Sequence, residues 1–208
     1  MQLSKTPIRD KNKFCVKKSS MIAIHNLHAS NQLIEDLAWP FDFDVTRASD
    51  DTSWIKLQPE APFTVIAGEG TGGVFIAYGY GEPSLLPILH ATSEGQAGRV
   101  ASNLTEFMAI LMAAPYWRDL LKFSANGDLG EMRKTARFME REYAEDFPEL
   151  PKARKRIMEL LPIPAVDDPI QLIHDSIHAT DCTLVAEDGW QYESLFNHFR
   201  SSDNPNWR

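Results

Sequence analysis

Cysteine is scarce in this sequence. Its 208 residues include only Cys15 and Cys182, which are far apart along the chain. Two widely separated cysteines exclude the dense disulfide framework of small secreted domains, and their placement matches no metal-binding spacing. We therefore expect a protein of the reducing cytoplasm that binds no metal.

Long apolar runs are missing as well. No stretch approaches the roughly 18 apolar residues that a membrane span needs. The basic N-terminal region lacks the apolar core of a secretory signal, because Phe14-Cys15-Val16 is followed at once by Lys17 and Lys18. The sequence therefore predicts neither a spanning helix nor a secretory signal.

Positive charge is concentrated in the first 20 residues. They hold six of the 21 basic side chains and one of the 29 acidic ones, so the rest of the chain carries 15 basic and 28 acidic residues. We expect residues 1–20 to form a disordered basic extension and the folded body to be acidic. Such a field disfavours nucleic acid and anionic membranes as partners, and it attracts a basic protein.

Residues 68–73 read GEGTGG, which fits the G-x-G-x-x-G fingerprint of dinucleotide-binding folds. That fingerprint works because its glycines bring the backbone close to a pyrophosphate at the start of the following helix. Here the flanking runs FTVIA and VFIAY are rich in β-branched and aromatic residues, which favour strands. A glycine-rich segment between two strands indicates a hairpin turn, so we expect no nucleotide cofactor.

The remaining periodicity predicts strands first and helices afterwards. Further strands are expected at residues 54–57, 85–91 and 98–101, which together with the hairpin make an antiparallel meander. Helices are expected from Ser30, from Asn103, from Asp128, after Pro148 and over residues 170–177, before a short strand at 183–186. The predicted fold class is α+β, an antiparallel β-meander packed against helices with an additional C-terminal helical segment.

The predicted domain organisation is simple. We expect residues 21–200 to form a single α+β domain. Its core motif spans residues 63–129 and its helical extension spans 130–200. Residues 201–208 are expected to be a tail.

The core motif resembles a known family. A strand, the turn GEGTGG, two more strands, SEGQAG at residues 93–98 and the helical stretch ASNLTEFMAILMAAPYWRDLL follow in a recurring order. This order resembles the SUKH superfamily, which includes bacterial immunity proteins and the fungal cell-wall-synthesis regulators. The leucine-proline-tyrosine segment that usually precedes this core is absent from residues 21–60.

The resemblance implies a domain that acts by binding protein and performs no catalysis. Bacterial members typically neutralise a toxin, often a nuclease, by direct stoichiometric binding in the cytoplasm. The acidic body suits such a role, because an inhibitor of opposite charge associates faster with a basic toxin. Two alternatives remain open: a regulatory adaptor that binds an endogenous protein, and, more remotely, a carboxylate-dependent hydrolase.

Five residues are the candidates for partner contact: Glu69, Tyr78, Tyr80, Glu82 and Glu94. Glu69 and Glu94 lie in the glycine-flanked turns GEG and SEG, where we expect exposed carboxylates. The hydrolase alternative would use them as an acid–base pair, but the sequence shows no apolar pocket to raise one pKa. Tyr78 and Tyr80 have the same parity along their strand and would form a patch beside the acidic turns if that side faces solvent.

Two further patterns favour structural roles. His174 and His178 share one helical face at i, i+4 spacing, but no third metal ligand is placed near them, so we expect half-buried structural histidines. The basic run KARKR at residues 152–156 follows an acidic block, which is typical of a solvated helical face with ion pairs. Neither G-x-S-x-G nor a cysteine–histidine pattern is present, so no nucleophile is expected.

Overall fold

A four-stranded antiparallel meander lies at the centre of this computed structural model, which describes residues 21–48 and 53–207. The predicted basic extension, residues 1–20, lies outside the described residues. The strands are β1 (Lys56–Gln58), β2 (Phe63–Gly68), β3 (Val74–Tyr78), β4 (Ile88–Ala91), β5 (Ala97–Ala101) and β6 (Thr183–Val185). The meander has the order β2-β3-β4-β5, and β1 pairs with β6 in a separate two-stranded sheet.

The GEGTGG segment is the hairpin turn between β2 and β3. Gly68 pairs with Val74 across it, and the amide of Glu69 donates to the carbonyl of Gly73 at 3.0 Å. A strand, not a helix, follows the glycines, so no helix N-terminus is present to hold a pyrophosphate. The hairpin prediction is confirmed.

Six α-helices surround the meander in the described part of the chain. They are α1 (Asn31–Ala38), α2 (Leu104–Ala113), α3 (Trp117–Lys122), α4 (Leu129–Asp146), α5 (Leu150–Leu160) and α6 (Pro169–His178). Three of the caps follow directly from the sequence: the side chains of Ser30, Asn103 and Asp128 each accept an amide N–H of the first helical turn. The α+β fold class, with a meander packed on helices, is confirmed.

The larger part of the core lies between the meander and the helices. Phe75 of β3 packs against Phe107 of α2 with ring centroids 5.2 Å apart, and Trp117 of α3 lies 6.0 Å from Phe107. Almost every residue of α2 is buried, which explains why its sequence shows little amphipathic contrast. This layer positions α3 against the end of the sheet.

The other face of the meander is covered by the β1–β6 ribbon. Ile55, Leu57 and Leu184 belong to a second apolar cluster with Val65 and Ile76 of the meander. Strand β3 is therefore buried on both faces along its whole length. The sequence predicts both short strands but not their pairing with each other.

The C-terminal residues are part of the folded body. Trp207 is buried, stacks on Phe138 of α4 with ring centroids 5.4 Å apart, and lies 4.8 Å from Phe123. Ser201 donates its backbone amide to Glu131 of α4 at 2.7 Å. Residues 201–207 thus lie along α4, whereas the sequence predicts a tail there.

The apolar spacing after Pro148 predicts that Ile157, Leu160 and Leu161 face inward. Ile157 and Leu161 are buried, but the prediction is wrong for Leu160, which is 54% exposed. Leu160 is the last residue of the helix, beyond the buried residues Leu150, Ala153 and Ile157. None of the helices in residues 21–48 and 53–207 is long and apolar enough to cross a membrane.

Candidate functional site

The two glycine-rich turns meet at one end of the meander. Val74 pairs with Ala91, so the turn that precedes β3 and the turn that follows β4 lie side by side. Helix α3 packs over the same end, and the three elements enclose a cavity of about 350 Å³. We call this cavity the turn cleft; it is lined by residues 69–73, residues 92–96 and α3, together with His90, Leu195 and Asn197.

Glu69 lies at the base of the turn cleft and is buried, with 2% of its surface exposed. Its Oε1 accepts hydrogen bonds from the Thr71 hydroxyl at 2.6 Å and from the Gly73 amide at 3.2 Å, and its Oε2 pairs with the guanidinium of Arg118. The expectation of an exposed carboxylate at Glu69 is therefore wrong. The turn folds back over its own side chain, and α3 supplies the opposite charge that makes burial tolerable.

Gly73 is required by this close approach. A Cβ atom at this position would lie 2.3 Å from Oε1 of Glu69 and 2.7 Å from the carbonyl oxygen of Ala91. Real Cβ contacts are never that short, so a side chain would displace either the carboxylate or the neighbouring strand. The last glycine of GEGTGG thus makes room for Glu69 and serves no phosphate.

Arg118 joins three segments that are distant in sequence. Its guanidinium contacts Asp42, in the segment that follows α1, as well as Glu69 in the turn. Asp42 also accepts the amide N–H of Gly70 at 2.7 Å. The network fixes the turn relative to α3 and leaves the charge of Arg118 compensated by two carboxylates.

His90 of β4 is the least satisfied polar group in the turn cleft. It is 1% exposed, and neither ring nitrogen has a hydrogen-bond partner within the described residues. Nε2 lies 3.9 Å from Oε2 of Glu69, which is too long for a hydrogen bond. The ring is held between Phe75, at 4.7 Å between centroids, and Trp117, at 5.2 Å.

Burial lowers the pKa of His90 to about 3 despite the opposing effect of Asp42. The imidazole is therefore neutral near neutral pH, and its approach to Glu69 is not an ion pair. The sequence reading missed His90. The sequence offered one signal of a site here, since His90 is the one polar residue in the apolar strand ILHA. Its neighbours Ile88 and Phe75 belong to the core that faces the helices.

Glu94 lies at the exposed rim of the same cleft. The structure therefore brings together Glu69 and Glu94, one buried and one in solvent. Asp119 and Lys122 of α3 are further exposed charges on the rim. The rim carboxylates outnumber the rim lysine, whereas at the base the carboxylate of Glu69 is paired with the guanidinium of Arg118.

Tyr80 and Glu82 lie at the opposite end of β3 from the turn cleft. Tyr80 is 87% exposed, and Glu82 is exposed and accepts the Ser84 hydroxyl at 3.2 Å. Tyr78 is 5% exposed and faces the β1–β6 ribbon, where its hydroxyl donates to Asp181 at 2.5 Å. Burial raises the pKa of Tyr78. The tyrosines therefore form no shared patch beside the GEG and SEG turns.

The two α6 histidines have structural contacts. His174 is half-buried, with Nδ1 3.0 Å from Oδ1 of Asp175 and Nε2 3.2 Å from the carbonyl of Gly127. His178 is exposed, and its ring lies 5.1 Å from that of Phe196. Among the described residues, no three His, Cys, Asp or Glu side chains are placed to hold a metal ion.

The basic run on α5 forms the ion-paired face that its sequence predicts. Lys152 pairs with Glu149 at 2.9 Å and Lys155 with Glu159 at 3.8 Å. Arg156 makes two hydrogen bonds to Asp36 of α1, at 2.8 and 2.6 Å. These residues join α5 to its own carboxylates and to α1, so the predicted ion pairs form, but Arg154 of the same run is half-buried and its Nε has no hydrogen-bond partner among the described residues.

The turn cleft thus combines a buried ion pair, a tight turn and an imidazole that has no hydrogen-bond partner among the described residues. No family model matches the chain, and no curated protein or solved structure matches it either.

Proposed function

We propose that the protein is a SUKH-type immunity protein, a non-catalytic component of the bacterial cytoplasm that neutralises a basic toxin domain by direct stoichiometric binding. The observation that carries the proposal is the turn cleft, a preformed concave site with exposed carboxylates at its rim. The toxin class that suits it best is a nuclease, because a surface that grips phosphates is basic.

The charge of the chain supports a basic partner. Beyond residue 20 the sequence carries 28 acidic and 15 basic side chains, so the folded body has a strong negative field. Such a field raises the rate at which a basic protein arrives and suppresses binding of acidic competitors. Glu94 and Asp119 concentrate negative charge at the cleft itself.

The construction of the cleft supports binding without rearrangement. Arg118 fixes α3 to the GEGTGG turn through Glu69 and to the segment after α1 through Asp42. Its walls are the GEGTGG turn, the turn at residues 92–96 and α3, and because Arg118 ties the first turn to α3, less conformational freedom is lost when a partner docks. A preorganised site of this kind suits an inhibitor that must bind its toxin tightly.

A carboxylate-dependent hydrolase is the more remote alternative, after a regulatory adaptor that binds an endogenous protein, and it is considered because Glu69 and Glu94 line one cleft. The geometry favours it less. The guanidinium of Arg118 and two hydrogen-bond donors hold Glu69 as a carboxylate, whereas a general acid must carry a proton. Glu94 is exposed to solvent at the rim of the cleft, whereas the general acid of a hydrolase is held in a water-poor pocket.

Affinity capture tests the proposal. The tagged protein is recovered from its own cells, and the bound proteins are identified by mass spectrometry and tested for toxicity when expressed alone. We expect one basic, toxic partner at equimolar ratio, and we expect Glu94→Lys combined with Asp119→Lys to reduce its recovery. Glu60→Lys is the matched control, since Glu60 is exposed and precedes β2 at the opposite end of the sheet.

Two results would count against the proposal. If only housekeeping proteins are recovered, and the protein gives no protection against a toxin encoded beside its gene, the immunity function is wrong. If the protein turns over a substrate and Glu69→Gln or Glu94→Gln abolishes that turnover, the hydrolase replaces it.

A further inference from the structure

We propose that the turn cleft takes the charged end of one lysine or arginine side chain from the partner protein, with its N–H groups bridging Glu69 and His90. This inference rests on the proposed function, because it names the group that a protein partner inserts. It also makes a claim about the cleft alone, which small molecules can test.

The first support is the pair of unpaired ring nitrogens on His90. Buried polar groups in folded proteins almost always have hydrogen-bond partners, and leaving one unpaired costs free energy. His90 is 1% exposed and lines the cleft, yet no described residue bonds to either of its nitrogens. A buried imidazole with no protein partner for its nitrogens, beside an open cavity, favours a ligand that carries hydrogen-bonding groups.

The second support is the distance between His90 and Glu69. Nε2 and Oε2 are 3.9 Å apart, too far to bond one another. A single N–H-bearing group placed beside both atoms lies within about 3 Å of each, which is hydrogen-bond range. A neutral imidazole with its proton on Nδ1 presents a bare Nε2, so the pair offers two acceptors to one donor.

The third support is charge, which selects a cation over an anion. Arg118 lines the cleft as well, but its one positive charge is shared between the carboxylates of Asp42 and Glu69, so this group as a whole stays negative. Burial keeps His90 neutral, and the exposed carboxylates of Glu94 and Asp119 outnumber the ammonium of Lys122 at the rim. An anionic group entering the cleft would face this uncompensated negative charge, whereas a cation is attracted by it.

The fourth support is the apolar wall, which selects a side chain over a bare ion. Trp117, Leu121 and Leu195 line the cleft together with the polar groups. Lysine and arginine carry methylene stems that pack on apolar surface while their charged ends reach polar partners. The cavity of about 350 Å³ is at the small end of ligand pockets and suits one such side chain.

Nuclear magnetic resonance of the full-length protein with ¹⁵N-labelled histidine tests the inference. The probes are Nα-acetyl-lysine amide and Nα-acetyl-arginine amide, with the uncharged Nα-acetyl-norleucine amide and acetate for comparison. We expect at least one basic probe to shift the His90 ring signals saturably at concentrations up to about 100 mM, the range for a single side chain. The uncharged probe and acetate should leave those signals unchanged.

Variants separate the cleft from general charge effects. Glu94→Gln and Glu69→Gln should each weaken binding of the basic probe by about threefold or more, the effect of losing one charge pair. Glu94 is exposed, so Glu94→Gln keeps the buried network intact. Glu60→Gln, which removes an exposed carboxylate elsewhere, should leave binding unchanged. No saturable shift with either basic probe, or an equal response to norleucine amide or acetate, would overturn the inference.

The outcome is independent of the capture experiment. A toxic partner recovered at equimolar ratio would sustain the proposed function even if no basic probe enters the cleft, and the partner would then dock without filling it. A basic probe that binds would sustain this inference even if the captured partner proves not to be a toxin.

Discussion

The carboxylate of Glu69 and the guanidinium of Arg118 form an ion pair that joins the GEGTGG turn to helix α3. The carboxylate is buried and the guanidinium is about one third exposed, with side-chain exposures of 3% and 31%. A buried carboxylate loses most of its hydration, and only a nearby positive charge and hydrogen-bond donors make that loss tolerable. The end of the meander therefore depends on a residue from a distant helix.

Removing the positive charge should destabilise the fold. Arg118→Met leaves Glu69 buried without its counter-ion and frees Asp42 as well, so we expect a loss of about 2–4 kcal/mol in the free energy of unfolding. Urea denaturation at pH 7 measures it. Arg118→Met combined with Glu69→Gln should recover part of the loss, because the glutamine carries no charge. A single variant that unfolds within about 0.5 kcal/mol of the wild type would show that the pair contributes little.

Gly73 should tolerate no side chain. The Cβ atom of Gly73→Ala would approach the Ala91 carbonyl oxygen to 2.7 Å, and backbone cannot swing aside as a flexible side chain does. We expect a cost of about 2–3 kcal/mol in the free energy of unfolding. Gly95→Ala is the control, because a Cβ atom at Gly95 would meet nothing within 4 Å. Only the positive φ of +85° opposes alanine there, and we expect it to lower the free energy of unfolding by about 1 kcal/mol. Equal costs at the two glycines would contradict the packing explanation.

His90 should make stability fall in acid. Its pKa is lowered to about 3 in the folded state, whereas an unfolded chain has the ordinary value near 6.5, so between those values the unfolded state binds the extra proton. The contribution of His90 is therefore complete above about pH 6.5 and declines as the pH falls, by up to about 1.4 kcal/mol per pH unit. Urea midpoints measured from pH 7 to pH 4.5 should show this decline in the wild type.

His90→Phe should reduce that acid sensitivity. The phenyl ring cannot be protonated and keeps the contacts with Phe75 and Trp117. At pH 7 we expect the variant to be at least as stable as the wild type, because it removes two buried nitrogens that have no partner among the described residues. A variant with the same slope of stability against pH as the wild type would show that other groups cause the decline.

Local signals predicted the hairpin and the helix caps because each depends on a few neighbouring residues. GEGTGG between two β-rich runs identifies a turn, and Asn103 and Asp128 identify helix starts. The β1–β6 ribbon was beyond such signals, since Lys56 pairs with Val185 across most of the chain. The β1–β6 ribbon also buries Tyr78. The alternation of side chains along a strand shows which residues share a face with Tyr78, but not whether that face is covered or in solvent.

The candidate site, like the fold, could be predicted from the sequence only in part. The sequence identified Glu69 and Glu94 as turn carboxylates, and the structure brings both into one cleft. The burial of Glu69 could not be predicted from the sequence, because the compensating charge of Arg118 lies in another element. His90 was visible only as a polar residue in an apolar strand, a pattern that gains meaning once its unpaired nitrogens and the cavity beside them are known.

The buried C-terminal tryptophan should matter for folding. Trp207 packs against Phe123 and Phe138, and its indole N–H donates to Glu142 at 2.5 Å. We expect Trp207→Ala to lower the free energy of unfolding by about 3 kcal/mol, through lost packing and an unpaired acceptor. Trp190→Ala is the matched control, because Trp190 is 77% exposed and its removal should cost less than about 0.5 kcal/mol. Thermal denaturation of both variants compares them directly.

The position of the partner can be decided by comparing the two ends of β3. A strand of five residues spans about 17 Å, so Glu94 at the turn cleft and Tyr80 at the far end are well separated. If the partner docks on the cleft, Glu94→Lys should slow association about tenfold at low salt, because rim charges act mainly on the rate of encounter. Raising the salt to about 0.5 M should shrink that difference, since screening shortens the reach of the charge.

Tyr80→Ala should leave both rates of the same complex nearly unchanged. Tyr80 is 87% exposed, and an exposed tyrosine inside an interface is a frequent hot spot whose loss accelerates dissociation markedly. Surface plasmon resonance with the captured partner resolves association from dissociation for both variants. A fast-dissociating Tyr80→Ala complex together with an unaffected Glu94→Lys complex would move the interface to the far end of β3, where Glu82 is exposed, and away from the turn cleft.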